Sequence, residues 1–420
     1  MPHRRDFLGR TLGGAALFAA APTVPEFLAN TAAAAQADPK GGDADTVLVV
    51  VELAGGNDGL NTVVPYADDL YHRARPTLGL TRREVLRLDD YHGLHPKLSE
   101  LKNLYDQKQL AVVQGVGYPN PDRSHFESMD IWQLADPRRA ETTGWLGRTI
   151  PAMRVNHTGV PGMFVGQDRL PVALQGADGG VISLADRASF RLQLNSNAAP
   201  RRRLIEDLNA GTGPDADLAA FVRRRQLQTY TSLQKIEDAL RAVGGNQNGP
   251  VPIPGGRPDR PQQNPNDLAT LNGQLNLVSQ LIQRGLGTRI YYVSLAGFDT
   301  HSGQADAHAG LLEELSTAVG QFFGMLGAEA GRVVLMTYSE FGRRVRQNGS
   351  RGTDHGSGSN LFVAGPKVAG GLVGRHPKLD DLADGDVRFH TDFRRVYATL
   401  LDQWLGVDSR TVLRAAYEPL

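Results

Sequence analysis

Six carboxylate and imidazole side chains stand in short polar clusters along the chain, and their types suit a metal site. Imidazole nitrogen and carboxylate oxygen together are ligands for divalent metals. Two such ions about 3.5–4 Å apart would clamp a phosphoryl or sulfuryl group for displacement. We therefore expect one or two divalent ions, zinc, manganese or calcium. The predicted ligands are Asp58, Asp299, His301, Glu340, Asp354 and His355.

A second group of residues suits the binding and attack of an anionic substrate. Ser124 follows a loop rich in proline and stands where a helix is predicted to begin. Backbone N–H groups at a helix start favour anions, and a hydroxyl becomes a nucleophile when a metal or a base activates it. We predict that Ser124 attacks the substrate, that Arg123 and Arg343 meet its anion, and that Asn57 and His125 contribute to substrate binding.

Four of these residues also have plain structural interpretations, which the sequence leaves open. Ser124 and Glu127 have the spacing of a capping box, in which both side chains hydrogen-bond to the first helical turn. Asp58 follows two glycines and an asparagine, a pattern typical of a turn. Glu340 and Arg343 have the spacing of an ion pair along a helix.

The polar clusters lie beside segments with strand character. Continuous β-branched runs such as Thr46–Leu53 are typical of strands buried on both faces of a parallel sheet. Strands alternating with helices predict an α/β fold, a doubly wound, mostly parallel central sheet with helices on both faces. Ligands bind at the carboxyl ends of such strands, where we expect the clusters to converge. The other strand candidates are Leu110–Val116, Gly162–Val165, Arg289–Leu295, Arg332–Tyr338 and Asn360–Ala364.

Helical spacing occurs between several of these strands. The helical pattern just before the second strand predicts a β-α-β unit with the first strand. The helical patterns are Leu98–Gln109, Leu218–Val243, Leu268–Gly285 and Ala307–Leu326.

Composition excludes several classes of site and partner. The chain of 420 residues has no cysteine, so disulfides and thiolate metal sites are excluded. Lys plus Arg and Asp plus Glu both number 45, and this balance gives no indication of a nucleic-acid partner.

The N-terminus has the pattern of a twin-arginine export signal. The Arg4–Leu8 segment begins with an arginine pair and ends in Phe-Leu, and a weakly apolar stretch, Thr11–Ala21, follows. Ala35, Gln36 and Ala37 form a small-x-small cleavage pattern. We predict a signal at 1–37, recognition by the twin-arginine translocation machinery, and a periplasmic or secreted mature protein. No later segment approaches the roughly 18 apolar residues of a stable membrane span.

The mature chain is predicted to be one domain. A polar leader at 38–45 precedes an α/β domain at 46–420, with a helical insertion at about 200–243. A segment rich in Pro, Gly, Asn and Gln predicts a flexible linker at about 244–267.

Five ordered motifs resemble one known family. AGGNDGLNTVVPY, GYPNPDRSHFESMDIWQ, GFDTHSGQ, YSEFGRRVRQNGSRGTDHG and TDFRRVYATLLDQWLG resemble the domain-of-unknown-function 1501 family, over about Val47 to about Leu405. Such proteins commonly carry a twin-arginine leader. The family is similar to the alkaline phosphatase and sulfatase superfamily, so the resemblance implies that fold.

The resemblance also implies roles for particular residues. Asp58 stands where the superfamily has its first metal carboxylate, and Ser124 matches its nucleophile best. Asp299 and His301 resemble a metal-binding Asp/His pair, although the superfamily spacing is Asp-x-x-x-His. His355 corresponds to a late metal-binding histidine.

Two functions follow as hypotheses. The first is an exported metal-dependent hydrolase of phosphate or sulfate esters, acting on a small-molecule or polymer-borne anionic ester. The alternative is a non-catalytic exported binding or assembly protein that keeps the fold without the chemistry.

Overall fold

The computed structural model describes residues 45–153, 160–166, 169–176, 181–184 and 267–420. The predicted signal at 1–37 and the insertion at 200–243 lie outside the described residues. So do nearly all of the leader at 38–45 and of the linker at 244–267, and the helical pattern Leu218–Val243.

The predicted strands all form, with ends shifted by one residue at most. Each is rich in β-branched or other apolar residues, which suit a pleated sheet covered on both faces. The strands are β1 (Val47–Ala54), β2 (Val63–Val64), β3 (Leu86–Arg87), β4 (Gly93–Leu94), β5 (Leu110–Gly117), β6 (Gly162–Val165), β7 (Val181–Leu184), β8 (Ile290–Ala296), β9 (Val333–Tyr338), β10 (Ser359–Ala364), β11 (Gly371–Val373), β12 (Leu382–Ala383), β13 (Asp386–Val387) and β14 (Thr391–Asp392).

Helices connect the strands and include the predicted helices that fall on described residues. They are α1 (Gly59–Thr62), α2 (Asp69–Ala74), α3 (Ser99–Asp106), α4 (His125–Leu134), α5 (Trp145–Ala152), α6 (Leu271–Gln283), α7 (Gln304–Leu326), α8 (Phe393–Thr399) and α9 (Ser409–Leu413). A π-helical turn, Leu400–Leu405, continues α8.

The central sheet is mostly parallel, as the sequence predicts. Its described strands follow the order β11-β5-β10-β9-β1-β8-β6-β7, and β14 pairs with β5. Strands β9, β1, β8, β6 and β7 pair in parallel, whereas β10 is antiparallel to both β9 and β5. The predicted β-α-β unit joins β1 and β5. These two strands are not adjacent in the sheet, because β9 and β10 lie between them.

Two apolar cores lie on opposite faces of this sheet. Alternate residues of β1 point to opposite faces: Val49 and Val51 belong to one core, and Leu48 and Val50 belong to the other. Helices α6 and α7 cover the first face, and α4 and α8 cover the second. The prediction of helices on both faces is confirmed.

The direction of β10 decides where the site forms. Residues after β1, β5, β8 and β9 leave the sheet at the carboxyl ends of parallel strands. Because β10 runs the other way, the residues just before it lie at that same edge.

No helix that the structure describes is both long enough and apolar enough to cross a lipid bilayer.

Candidate metal centre

Three histidines converge on one carboxylate oxygen at this edge of the sheet. The Nε2 atoms of His125, His301 and His355 lie 3.4, 3.1 and 3.2 Å from Oδ1 of Asp299. The Nε2 atoms of His301 and His355 are 2.9 Å apart. We call these four residues the histidine cluster. They come from the loop after β8, the start of α4 and the loop before β10.

Each ring in the histidine cluster is held from behind through its Nδ1 atom. His125 Nδ1 lies 2.8 Å from Glu340 Oε1, and His301 Nδ1 lies 3.3 Å from Asp354 Oδ1. His355 Nδ1 lies 2.8 Å from the backbone oxygen of Arg123. Since all three partners are acceptors, the neutral rings carry their hydrogen on Nδ1 and direct a lone pair from Nε2 toward Asp299.

This arrangement fits a cation. Lone pairs of Asp299 and three imidazoles facing one another repel unless a positive charge lies among them. Nε2 of His125 is buried and has no hydrogen-bond partner. A tetrahedral ion with bonds of about 2.0–2.1 Å places its ligand atoms about 3.3 Å apart, close to the separation of each Nε2 atom from Asp299 Oδ1. The ligand atoms of His125, Asp299 and His355 all lie within 4.8 Å of one another, and His301 lies beside this set, 2.9 Å from His355. Acceptors behind each ring are also what metal-binding histidines commonly have.

Fixed charges prepare the histidine cluster for an ion. Burial by itself would raise the pKa of Asp299, but the hydrogen bond and the charge of Arg343 help to outweigh it, and that pKa is lowered to about 2. The hydrogen bond to Glu340 raises the pKa of His125. Asp299 is thus a carboxylate at neutral pH, and 47% of its side chain is open to solvent.

Close packing of two glycines brings the loops together. Gly55 has a φ of +117°, and a Cβ there would lie 2.5 Å from the backbone nitrogen of Asp299. A Cβ on Gly352 would lie 2.2 Å from the backbone carbon of His301. Any larger residue at either place would push the loops that carry the histidine cluster apart.

The Arg343 side chain is buried and hydrogen-bonds to the loops around the site instead of facing solvent. Its fully buried guanidinium donates 2.7 Å to Asp299 Oδ1 and also contacts backbone oxygens of Gly55, Gly56, Phe298 and Thr353. We predicted a contact with the substrate anion, but these contacts give Arg343 a positioning role. The helix-pair alternative is also wrong, because Glu340 and Arg343 do not lie in a helix.

Asp58 is placed apart from the histidine cluster. Its buried carboxylate pairs with Arg75 at 2.5 Å and accepts from Asn61 N and from the Gln304 side chain. Burial raises its pKa, but the charge and hydrogen bonds of Arg75 outweigh this and lower the pKa. The structure thus supports the turn interpretation of Asp58, because its neutralising cation is an arginine.

The structure also gives Asn57 and Arg123 contacts that differ from the predicted contacts with a substrate. Asn57 is buried, and its side-chain oxygen accepts from Thr62 and lies 2.9 Å from His308 Nε2, so it faces the interior rather than a substrate. The Arg123 guanidinium pairs with Asp384 and Asp386 at 2.9 and 2.7 Å. These two carboxylates balance the charge of Arg123. The backbone oxygen of Arg123, which lies 2.8 Å from His355 Nδ1, is the part of this residue that contacts the histidine cluster.

Ser124 stands at the N-terminus of α4, directly before His125. Its side chain makes no capping hydrogen bond, and Glu127 contacts Arg139 instead of reaching back. The capping-box alternative is therefore wrong. The hydroxyl is left next to the free N–H groups of the first helical turn.

Apart from Asp58, which pairs with Arg75, the predicted ligands separate into two groups. Asp299, His301 and His355 meet at one point, whereas Glu340 and Asp354 orient rings from behind. His125, predicted as a substrate-binding residue, belongs to the first group. The rule that selected Asp299 and His301, a polar residue following a strand at the same sheet edge, also applies to His125. Nothing in the sequence indicated the partnership of Asp58 with Arg75.

The fold and the site define an α/β protein with a candidate metal centre at the carboxyl edge of its sheet. The sequence profile of the family described as "Protein of unknown function (DUF1501)" matches residues 45–416. The chain belongs to this family.

The solved structures that this chain resembles are distant from it in sequence. Ps i-CgsB in complex with k-i-k-neocarrahexaose is 10% identical with a TM-score of 0.36, covering 89% of this chain and 73% of that chain. The phosphonate monoester hydrolase of Agrobacterium radiobacter is 12% identical with a TM-score of 0.33, covering 86% and 74%. The lipoteichoic acid synthase LtaP from Listeria monocytogenes is 9% identical with a TM-score of 0.29, covering 83% and 72%. No curated protein matches the sequence.

Proposed function

We propose that this protein is an exported, metal-dependent hydrolase of phosphate or sulfate esters. The observation that carries the proposal is the histidine cluster, in which three oriented imidazoles approach Oδ1 of Asp299. The twin-arginine pattern at the N-terminus supports export. The site is open enough for a ligand, because between 23% and 47% of each side chain in the cluster is exposed.

The donor set favours one transition-metal ion. Three imidazoles and a carboxylate suit zinc or manganese, whereas calcium prefers six to eight oxygen ligands. Asp58 is paired with Arg75, which leaves the histidine cluster as the place for a single ion. Such an ion would supply Lewis-acid stabilisation of the charge on the ester oxygens.

Ser124 is the proposed nucleophile. A bond forms between its Oγ and the phosphorus or sulfur, the bond to the ester oxygen breaks, and the hydroxyl proton ends on the departing alcohol. Water then displaces Ser124, restores its proton and releases phosphate or sulfate. The free N–H groups at the start of α4 stabilise the oxyanion during both steps, since Arg123 is paired with Asp384 and Asp386 and Arg343 with Asp299.

The test measures both the metal content of the protein and its turnover of an ester. Gently purified mature protein should hold about one transition-metal ion per chain and hydrolyse an aryl phosphate or aryl sulfate, with loss of activity in chelator. Ser124→Ala should lower turnover by at least about a thousandfold and leave the metal content unchanged. Ser99→Ala, at an exposed serine that begins α3, is the matched control and should leave both unchanged.

Two results would contradict the proposal. Protein without stoichiometric metal would rule out the mechanism. Bound metal without turnover of any phosphate or sulfate ester would favour the non-catalytic alternative.

A further inference from the structure

A short hairpin outside the central sheet packs against the loop that carries His355. Strands β12 and β13 form this hairpin as a two-stranded sheet of their own. The hydroxyl of Ser357, two residues after His355, donates to the backbone oxygen of Val387 at 2.9 Å. A Cβ on Gly358 would lie 3.2 Å from the Val387 side chain, so the hairpin and the loop are in close contact.

The same hairpin holds the loop before α4 through the side chain of Arg123. Oδ2 of Asp386 accepts from Nε and Nη2 of the Arg123 guanidinium at 3.0 and 2.7 Å, and Asp384 accepts from Nη1 at 2.9 Å. The Asp386 side chain is 2% exposed, whereas the Asp384 side chain is 80% exposed. One oxygen of a buried carboxylate therefore fixes two of the three guanidinium nitrogens.

The backbone of Arg123 connects this ion pair to the histidine cluster. Its carbonyl oxygen accepts from His355 Nδ1 at 2.8 Å. This contact keeps the ring hydrogen on Nδ1 and leaves the Nε2 lone pair facing Asp299. Arg123 also directly precedes Ser124, the proposed nucleophile, so a shift of its backbone would displace both groups.

The stability of the fold alone does not account for the burial of Asp386. Its Oδ1 atom is buried without a hydrogen-bond partner, and Nε of Arg344 lies 4.0 Å from it. Burial raises the pKa of this carboxyl, although the hydrogen bonds and the charge of Arg123 oppose the shift. The desolvation of a buried ion pair can cancel its attraction, so this pair is a poor source of stability. What the pair does provide is a fixed position for Arg123.

We propose that Asp386 is a positioning residue that sets the place and the tautomer of His355 by fixing Arg123. The inference rests on the proposed function in one respect, namely that the histidine cluster binds a metal ion. While Asp386 holds the guanidinium, the Arg123 carbonyl stays where His355 Nδ1 donates to it, and Nε2 stays free to bind the ion. The β12–β13 hairpin is then part of the metal centre, although it contributes no ligand.

The test uses Asp386→Asn, which keeps the shape of the side chain and removes its charge. Metal-free full-length protein is studied by NMR of the ring nitrogens at about pH 8, where an imidazole is neutral. The His355 hydrogen should be on Nδ1 in the natural protein and divided between both nitrogens in the variant, and His355→Gln assigns the signals. Zinc affinity, from competition with a chromophoric chelator, should fall about tenfold. Arg123→Lys, which loses the planar fork, should change both readouts in the same direction.

Two exposed aspartates close to Asp386 in the chain provide matched controls. Asp384→Asn removes the exposed contact of the same guanidinium and should lower zinc affinity less, because solvent screens this contact. Asp381→Asn breaks an exposed pair with Arg388 and should change neither zinc affinity nor the tautomer.

The outcomes separate this inference from the proposed function. An unchanged His355 tautomer in Asp386→Asn and Arg123→Lys, or equal losses of zinc affinity in Asp386→Asn and Asp384→Asn, would overturn the positioning role. If the same protein turns over esters, the hydrolase function stands without it. An altered tautomer with weaker zinc binding supports the positioning role, even in protein that hydrolyses no phosphate or sulfate ester.

Discussion

At the scale of single residues, the orientation of three imidazole rings is the feature that matters most. Glu340, Asp354 and the backbone oxygen of Arg123 each accept from an Nδ1 atom, so every Nε2 is presented as a lone pair. The two carboxylates differ in their surroundings. Glu340 is buried and also accepts from Gly55 N, whereas 55% of the Asp354 side chain is exposed.

This difference predicts unequal effects on metal affinity. Glu340→Gln should weaken zinc binding by about 10–100-fold, because it removes the buried charge that holds His125 in place. Asp354→Asn should have a smaller effect, because solvent screens its longer, 3.3 Å contact with His301. Competition with a chromophoric chelator measures both affinities. Equal losses in the two variants, or no loss for Glu340→Gln, would contradict this assignment of roles.

At the scale of elements, buried arginines hold the loops of the sheet edge in place. Arg75, just after α2, donates to Asp58 and Asn61 and to backbone oxygens of Arg344 and Val345. It thereby ties the loop after β1 to the segment between β9 and β10. Both members of the Arg75–Asp58 pair are fully buried.

Removal of the Arg75 charge should be costly. Arg75→Met leaves the Asp58 carboxylate buried without its counter-ion, so we expect the free energy of unfolding to fall by about 3–5 kcal/mol. The double variant Asp58→Asn/Arg75→Met should recover part of this loss. Arg87→Met, which breaks an exposed pair with Asp90, is the control and should change stability little. Urea unfolding measures all three, and equal losses for Arg75→Met and Arg87→Met would contradict the argument.

At the scale of the whole molecule, buried histidines make stability depend on pH. Burial lowers the pKa of three imidazoles to about 4, namely those of His95, His308 and His376. In an unfolded chain the same group titrates near about 6.5. Between these values the unfolded chain binds more protons than the folded protein, so stability falls as pH falls. Each histidine contributes a slope of at most about 1.4 kcal/mol per pH unit.

The His308 contribution can be isolated by substitution. His308→Gln keeps a donor near Asn57 but cannot gain a proton, so its free energy of unfolding should fall less steeply between pH 6.5 and pH 4 than that of the natural protein. Urea unfolding in chelator, which excludes any effect of metal loss, measures the slopes. His390→Gln, at an exposed histidine, is the control. Identical slopes for His308→Gln and the natural protein would show that His308 does not titrate as its burial implies.

Local patterns were sufficient to predict six of the fourteen strands and three of the nine α-helices of the described residues, whereas most of the short elements were not predicted. The β-branched run at Thr46–Leu53 and the helical spacing at Ala307–Leu326 both formed elements within a few residues of the predicted ends. Strand and helix formation depend on side-chain types at short spacing, which a sequence displays directly. For the same reason the polar clusters beside the strands could be found, and Asp299, His301 and His355 among them.

Only the tertiary structure decided which polar residues meet and which are neutralised. The cluster before β10 reaches the others because β10 runs antiparallel to β9, and strand direction depends on contacts between distant segments. Arg75, Asp384 and Asp386 come from outside the selected motifs, yet they neutralise Asp58 and Arg123. The sequence by itself determined the main strands and helices and the chemical types at their ends. The pairing of charges was decided by folding, because a charge separated from water is stable only beside a partner that the fold provides.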